Sequence, residues 1–516
     1  MYKFFVQLKD AEEQYEDFVR KGVIKTKSFG LVKVDGDYWS CGPQDNRSWL
    51  WTLHAFTPFD AIIQVGDSAL LNVLIETWQA RFESQSEEED FPWHDHATAL
   101  RLDRLSRMAL ELEGCRYTEL AARHAKLLLS ERFYSKHTNH GFDQALSLIL
   151  AALAFGEHDH AAVWKKVGLA RLKDEIEFAF TDEGVHVENS PAYHMGMISN
   201  MVRARSLLEA SGVELGDFDV LFNQALEFLA WITRPDRYVA YLGDSASYRP
   251  SVPVALASLK SADLVRWVSS GGREGVPHRD NWKVYEKSGY AIYRSSWKPW
   301  ENHTHIVMKC GFLSRYHRQD DDLTILLHAL GEDWLIDSGL YNHNQKDPVR
   351  IFMRSALAHN IPYLQGVKIS RSNPCSEFAS LKKIEMKAGG FGVDGRTAMY
   401  EGGVVSRRLF VRDSLNLEFT DSFSGFGSKA RFWLFHTPLE KEISIKGSEV
   451  EIAGKSGFLN ISCDDSVMVK RAVGFKKPFP SVLSLKLNAL EDTQVVVFGP
   501  STRDEVRFSF SLRRKS

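Results

Sequence analysis

Ser269-Ser270-Gly271-Gly272-Arg273-Glu274-Gly275-Val276-Pro277 divides the chain. Three glycines and a proline in so short a span interrupt regular structure, and the apolar period differs on its two sides. On the N-terminal side Phe142, Ala145, Leu146, Ile149, Leu150 and Leu153 recur at i, i+3, i+4, i+7, i+8 and i+11, one face of a helix. Similar stripes run through Leu102, Leu105, Ala109 and Leu112, and through Phe218, Leu221, Phe222, Ala225, Leu229 and Ile232. On the C-terminal side β-branched and aromatic residues alternate, in Tyr290 to Tyr293, His305 to Lys309, Leu323 to Leu335, Arg407 to Thr420 and Thr493 to Phe498. Gly331, Glu332 and Asp333 are expected to form a hairpin turn. The pattern predicts an α+β multidomain chain, helical first and antiparallel β after about residue 280.

The 516 residues are 44% hydrophobic, 25% charged and 12% aromatic, a globular composition that excludes disorder, collagen-like repeats and coiled coil. With 64 Lys+Arg against 67 Asp+Glu the formal charge is -3, so no nucleic acid partner is expected and a polyanion must meet a local patch. Five cysteines, Cys41, Cys115, Cys310, Cys375 and Cys463, form no CxxC pair and are expected to be buried free thiols. The first apolar run breaks at Lys9 and Asp10, and no apolar stretch approaches about 18 residues. No membrane insertion is expected, and the absence of a visible signal peptide predicts a cytoplasmic location, the periplasm remaining open. Oligomeric state is not legible.

Two stretches concentrate chemistry. In Glu188-Asn189-Ser190-Pro191-Ala192-Tyr193-His194, Ser190 can cap a helix that starts at Pro191. The helix start suits a carboxylate and brings the Asn189 amide near the His194 imidazole. The plainer reading is capping alone, with Tyr193 and His194 in the core. The second stretch runs from Tyr316-His317-Arg318-Gln319-Asp320-Asp321-Asp322 through Asp337-Ser338-Gly339 to Arg350, Arg354 and Ala358-His359-Asn360. Arginine there suits bidentate carboxylate recognition. Its plainer reading is a turn at Asp337 and a solvated acidic loop. The histidines of Trp93-His94-Asp95-His96 and Gly156-Glu157-His158-Asp159-His160 lie in helix-connecting regions and are not expected to bind metal.

On Asn139-His140-Gly141, Glu188 to His194, Gly243-Asp244-Ser245 and the block from His317 to His359, the chain resembles the heparinase II/III-like polysaccharide lyases. The resemblance implies an N-terminal extension over 1–44, an incomplete (α/α) toroid over 45–275 and an antiparallel β-sandwich over 280–516. It implies cleavage of a uronate-containing glycan, such as a glycosaminoglycan or alginate, by β-elimination, with an acidic oligo- or polysaccharide as partner. By motif position Asn189 resembles the carboxylate-neutralising amide, and His194 and His317 resemble the family's cleft imidazoles. Tyr248 resembles its general acid or base. Asn139, His140, Glu188, Tyr193, Tyr241, Arg318, Arg350 and Arg354 are the implied substrate contacts. Relatives hold a metal where this chain has Asp337 and His359, but Gln319 replaces the expected third ligand, so no tightly bound zinc and no required cofactor are expected. Two other readings remain: a glycoside hydrolase using Glu188, Asp244 or Asp320 to Asp322 as paired carboxylates, and a non-catalytic glycan-binding protein of a biosynthetic cluster.

Overall fold

The computed structural model describes residues 7–26, 29–84, 91–252, 256–298, 303–369, 377–386 and 390–515. They form two compact units, one of residues 1–179 and 201–216, the other of 180–200 and 217–516.

The first unit is helical, with Arg47–His54, Phe59–Val65, Ser68–Phe82, Asp95–Glu111, Thr118–Leu129, Asn139–Ala154 and Ala161–Ala179 as its main elements. The stripe read from Phe142 is the buried face of Asn139–Ala154, whose start is capped by Thr138 accepting the Gly141 N–H at 3.2 Å. Ala161–Ala179 packs closely on it because Gly168 lies where a Cβ would stand 2.8 Å from Ile149. An aromatic core holds Trp39, Trp49, Phe56, Phe59, Trp78 and Trp93. The fully buried Arg101 sits over the Trp78 ring, 4.2 Å from its centroid, and donates to His124 Nε2 at 2.6 Å. Among the described residues before 45, Ile24, Tyr38, Trp39 and Cys41 belong to this core.

The second unit carries the antiparallel sheets. One has five strands in chain order, Trp282–Tyr285, Tyr290–Arg294, His305–Lys309, Thr324–Ala329 and Glu332–Leu335. An eight-stranded sheet runs from Glu442–Lys446 at one edge to Ala379–Ile384 at the other, and a four-stranded sheet is centred on Gln494–Ser501 and Arg431–Thr437. Alternation in Val404–Val411 and Glu505–Arg514 sends Leu409, Phe508 and Phe510 inward, where they join Phe419, Trp433 and Phe435 in one core. The hairpin after Ala329 turns at Leu330 and Gly331, both at positive φ, so the turn begins one position earlier than expected and Glu332 and Asp333 already belong to the next strand.

The last helix before the sheets, Ala262–Ser270, ends at the left-handed Gly271, and the first strand opens at Trp282. The change of period therefore falls at the glycine-rich stretch, but the compact units divide elsewhere. Helix Gly216–Ile232 belongs with the sheets from Asp217 onward, because Phe228 packs edge-on against Tyr285 and Tyr290 and the buried Arg294 donates to the carbonyls of Ala230 and Trp231. Among the described residues no helix is long and apolar enough to cross a membrane, and Cys41, Cys115, Cys310 and Cys463 are unbridged. Cys375 lies outside the described residues.

Candidate active site

The helix Pro191–Ala210 begins as the sequence predicts, but its start is closed to a ligand. Ser190 Oγ accepts the Tyr193 N–H at 3.3 Å, and Ser245 Oγ accepts the Ala192 N–H at 3.3 Å. The two hydroxyls lie 2.8 Å apart, and Ser190 donates onward to the Asp244 carbonyl at 3.0 Å. The Glu188–His194 and Gly243–Ser245 motifs are thus the two sides of one cap. Gly243 has φ 60°, and a Cβ there would stand 3.0 Å from the Asn189 carbonyl. The cap therefore requires glycine at the turn that delivers Asp244.

Asp244 is fully buried, and four donors converge on its carboxylate. Arg350 grips it bidentately, with Nη1 at 2.6 Å from Oδ1 and Nη2 on Oδ2, Gln319 Nε2 donates to Oδ1, and His317 Nδ1 donates to Oδ2 at 2.9 Å. Burial alone would raise Asp244, but the bonds from His317 and Arg350 outweigh it and hold the carboxyl well below the usual carboxylate range. An ionised carboxylate only accepts, so the Nδ1 of His317 carries the hydrogen. His317 Nε2 lies 3.8 Å from Glu188 Oε2, beyond hydrogen-bond range. The ring stacks on Tyr193 with centroids 4.0 Å apart, and His343 stands edge-on at 6.2 Å. Burial, reinforced by the charges of Asp244 and Glu188, pushes the Tyr193 hydroxyl up, so it keeps its proton. Burial also raises Glu188, but His186 and His317 outweigh it and hold its carboxyl below the ordinary value.

Asn189 holds this loop in place rather than facing a ligand with its amide hydrogens. Its Nδ2 donates to the carbonyls of Ser314 and Tyr316, both at 2.9 Å, while Ser314 Oγ donates to the Val187 carbonyl at 2.7 Å. Asn189 and His317 both take left-handed backbone, φ 56° and 52°, a conformation uncommon outside glycine that clusters at functional sites.

Several expected residues stand elsewhere. His194 is a core residue: Nδ1 accepts the His186 N–H at 3.2 Å, Nε2 donates to the Ala225 carbonyl at 2.9 Å, and burial pushes its pKa down to about 3. Phe180 and Phe228 pack edge-on against its ring. Tyr241 is buried, donating to Asp333 Oδ2 at 2.9 Å beneath the guanidinium of Arg234. Arg318 is bonded to Asp322 at 2.9 Å and Arg350 to Asp244, so both guanidinium groups are engaged by buried carboxylates. Arg354 donates to the Arg318 carbonyl at 3.1 Å and lines a surface cavity of about 300 Å³ with Asp320, Gln345, Arg350, Ile351, Ser355 and Ile369. Tyr248 is 48% exposed, and its hydroxyl is near enough to Tyr193 to contribute to that upward shift.

In the helical unit, Asn139 is exposed at its helix start, and His140 bonds Asp95 at 3.1 Å and stacks on His96 at 4.1 Å. Sequence reading undervalued Asp244, considered only as a hydrolytic acid, and passed over His343. The signal for Asp244 was the pairing of its motif with a capped helix start. Nothing in the spacing marked His343.

The acidic run is no solvated loop. Asp321 receives both Lys309 bonds, at 2.6 and 2.8 Å, and Asp322 receives Arg318 and the Thr397 hydroxyl, all buried. With Asp244 also neutralised in place, these acids are poor candidates for a hydrolytic pair.

Asp337 and His359, which the family resemblance offered as metal ligands, are both buried. His359 Nδ1 bonds Asp337 Oδ2 at 3.0 Å. Burial would lower His359, but the Asp337 charge outweighs it and raises the ring above its ordinary value. Gln319 Nε2 donates to Asp244, Gln319 Oε1 and His359 Nε2 are buried without a hydrogen-bond partner, and among the described residues no three His, Cys, Asp or Glu side chains gather as a metal site.

Residues 113–262 match the sequence model of the heparinase II/III N-terminus, and 277–474 that of the heparinase II/III-like C-terminal region. A heparin-sulfate lyase of Bacteroides stercoris is 23% identical over 414 residues, covering 71% of this chain and 60% of that protein. The heparin-sulfate lyase of Pedobacter heparinus is 24% identical over 225 residues, 42% of this chain and 34% of its own length. The chain thus spans 60% or less of the length of these relatives. In fold it is similar to a heparinase III structure, TM-score 0.77 at 19% identity, covering 100% of this chain and 85% of that one. The heparan sulfate lyase HepC from Pedobacter heparinus superposes with TM-score 0.77 at 16% identity, over 99% and 84% of the two chains. Capped helix start, Asp244 turn and His317 loop all lie within the matched regions, and the chain belongs to the heparinase II/III-like family.

Proposed function

We propose that this chain is a polysaccharide lyase that cleaves a sulfated, uronate-containing glycosaminoglycan of the heparin or heparan type by β-elimination. The observation that carries the reading is His317, its Nδ1–H tied to a buried carboxylate and its ring stacked on that of Tyr193, whose hydroxyl keeps its proton. His317 Nε2 removes the proton from the uronate carbon next to the carboxylate, and the electron pair becomes a carbon–carbon double bond as the glycosidic bond breaks. The departing oxygen takes a proton from Tyr193, with Tyr248 as the second phenol at this site. Arg354 is the candidate to hold the uronate carboxylate, whose charge grows in the enolate-like intermediate. The names of the relatives support the substrate class. No metal or cofactor enters this scheme, and turnover is expected to survive chelator dialysis.

The test is a panel of heparan sulfate, heparin, chondroitin, hyaluronan and alginate, read by the ultraviolet absorbance of an unsaturated uronate. Absorbance on heparan-type chains, abolished in His317→Ala, is the expected result. Reducing ends released without new absorbance would overturn the lyase reading in favour of hydrolysis. Activity confined to alginate would overturn the substrate class.

A further inference from the structure

The fourth donor on Asp244 has no role in the scheme above. Gln319 is 1% exposed, its Nε2 donates to Asp244 Oδ1, and its Oε1 has no hydrogen-bond partner among the described residues. A buried amide that leaves its own acceptor unsatisfied incurs a desolvation cost, so its donor contact stands out. A carboxylate offers about four lone-pair sites. Arg350 takes one on each oxygen, His317 takes the second on Oδ2, and Gln319 takes the second on Oδ1. Without Gln319, Oδ1 has spare capacity and the carboxylate can rotate about the Arg350 fork, drawing Oδ2 away from His317. A neutral donor fills the site without adding a second cation that would dilute the charge His317 faces.

We propose that Gln319 is a positioning residue for His317, acting through Asp244: by occupying the last acceptor site of the carboxylate it fixes the Nδ1–H form of the imidazole and aims Nε2 at the substrate. The inference deepens the lyase reading and rests on it for its kinetic consequence, but the ring form of His317 can be read without any substrate.

Gln319→Met roughly preserves length and volume and removes the donor together with the unpartnered amide oxygen. The Gln319→Met protein is expected to turn over about tenfold more slowly with KM within about twofold of wild type, since His317 would meet the reacting carbon with a less favourable aim. In nitrogen-15 spectra of histidine-labelled protein, assigned through His317→Ala, the wild type should show a predominantly Nδ1–H ring and Gln319→Met a mixture of the two neutral forms. Should Gln319→Met not fold, Gln319→Asn, which keeps the amide but withdraws it by one carbon, carries the same two measurements. An unchanged ring form in a folded variant overturns the inference whether or not the protein is a lyase. So does a loss of turnover matched by an equal rise in KM with the ring form intact. If wild type yields no unsaturated product but the ring form shifts, the positioning stands and the lyase reading fails.

Discussion

His194 and His317 share a residue type and a place in the family pattern, yet burial gives them opposite roles. His194 bridges the His186 N–H and the Ala225 carbonyl inside the core. His194→Leu strands both groups, at about 1–3 kcal/mol each, so the melting temperature should fall while the folded fraction keeps its turnover per molecule. Turnover abolished at unchanged stability would return His194 to the catalytic set. Asp244→Asn should do both kinds of damage. It leaves Arg350 buried without its counter-charge, a loss of about 3–5 kcal/mol, and it frees His317 to adopt the wrong ring form. The sign of the pH dependence follows from the depressed carboxyl. Its contribution is complete above the unfolded value of about 3.9 and is lost as pH falls toward the folded value. Denaturation of wild type and Asp244→Asn should therefore show a stability gap that is constant above about pH 5 and narrows below about pH 4. A gap that widens on acidification contradicts the assignment.

Among the elements, glycines at positive φ are tolerated or required according to what surrounds them. Gly339, the last residue of the Asp337-Ser338-Gly339 turn, has φ 74°, and a Cβ there would lie 2.4 Å from the Ser484 carbonyl. Gly447, in the hairpin between Glu442–Lys446 and Glu449–Ala453, has φ 63° with nothing within 4 Å. Gly447→Ala should cost about 1–2 kcal/mol of backbone strain, and Gly339→Ala that amount plus about 1–3 kcal/mol of overpacking. Equal losses in chemical denaturation would show that the Ser484 strand yields freely. Such contacts also mark how far the sequence could be read. The helical stripe from Phe142 and the alternation in Arg407 to Thr420 were legible because they repeat at the period of their element. Asn360 was legible only as part of a motif. Its work is to tie strands by donating to the Ile325 and Ile336 carbonyls and accepting the His436 N–H, contacts between segments far apart in the chain that no local period announces. The partners of Asn189 and His194 were not legible for the same reason, since a motif gives residue types at a spacing but not which face of the capped helix is buried.

At the scale of the whole molecule, a chain of net charge -3 is expected to bind a polyanion, and most cations near His317 are already neutralised. Arg350 is held by Asp244, Arg318 by Asp322 and Lys309 by Asp321. These pairs are buried, so mobile ions screen them little, whereas an anionic chain approaching the half-buried Arg354, itself bonded to Gln345 and the Arg318 carbonyl, is screened within about 10 Å at 0.1 M salt. Capture and chemistry should therefore separate with ionic strength. Raising salt from about 0.02 to about 0.5 M, which shortens the screening length severalfold, should raise KM on a glycosaminoglycan by about tenfold, some 1.4 kcal/mol, while kcat stays within about twofold. Arg354→Gln should raise KM at low salt and flatten this dependence, since it removes the charge being screened. A kcat that falls in step with the rise in KM would mean that the ion pairs under His317 open to solvent during turnover, and that the buried Asp244 carboxylate is not the fixed support on which the proposed base depends.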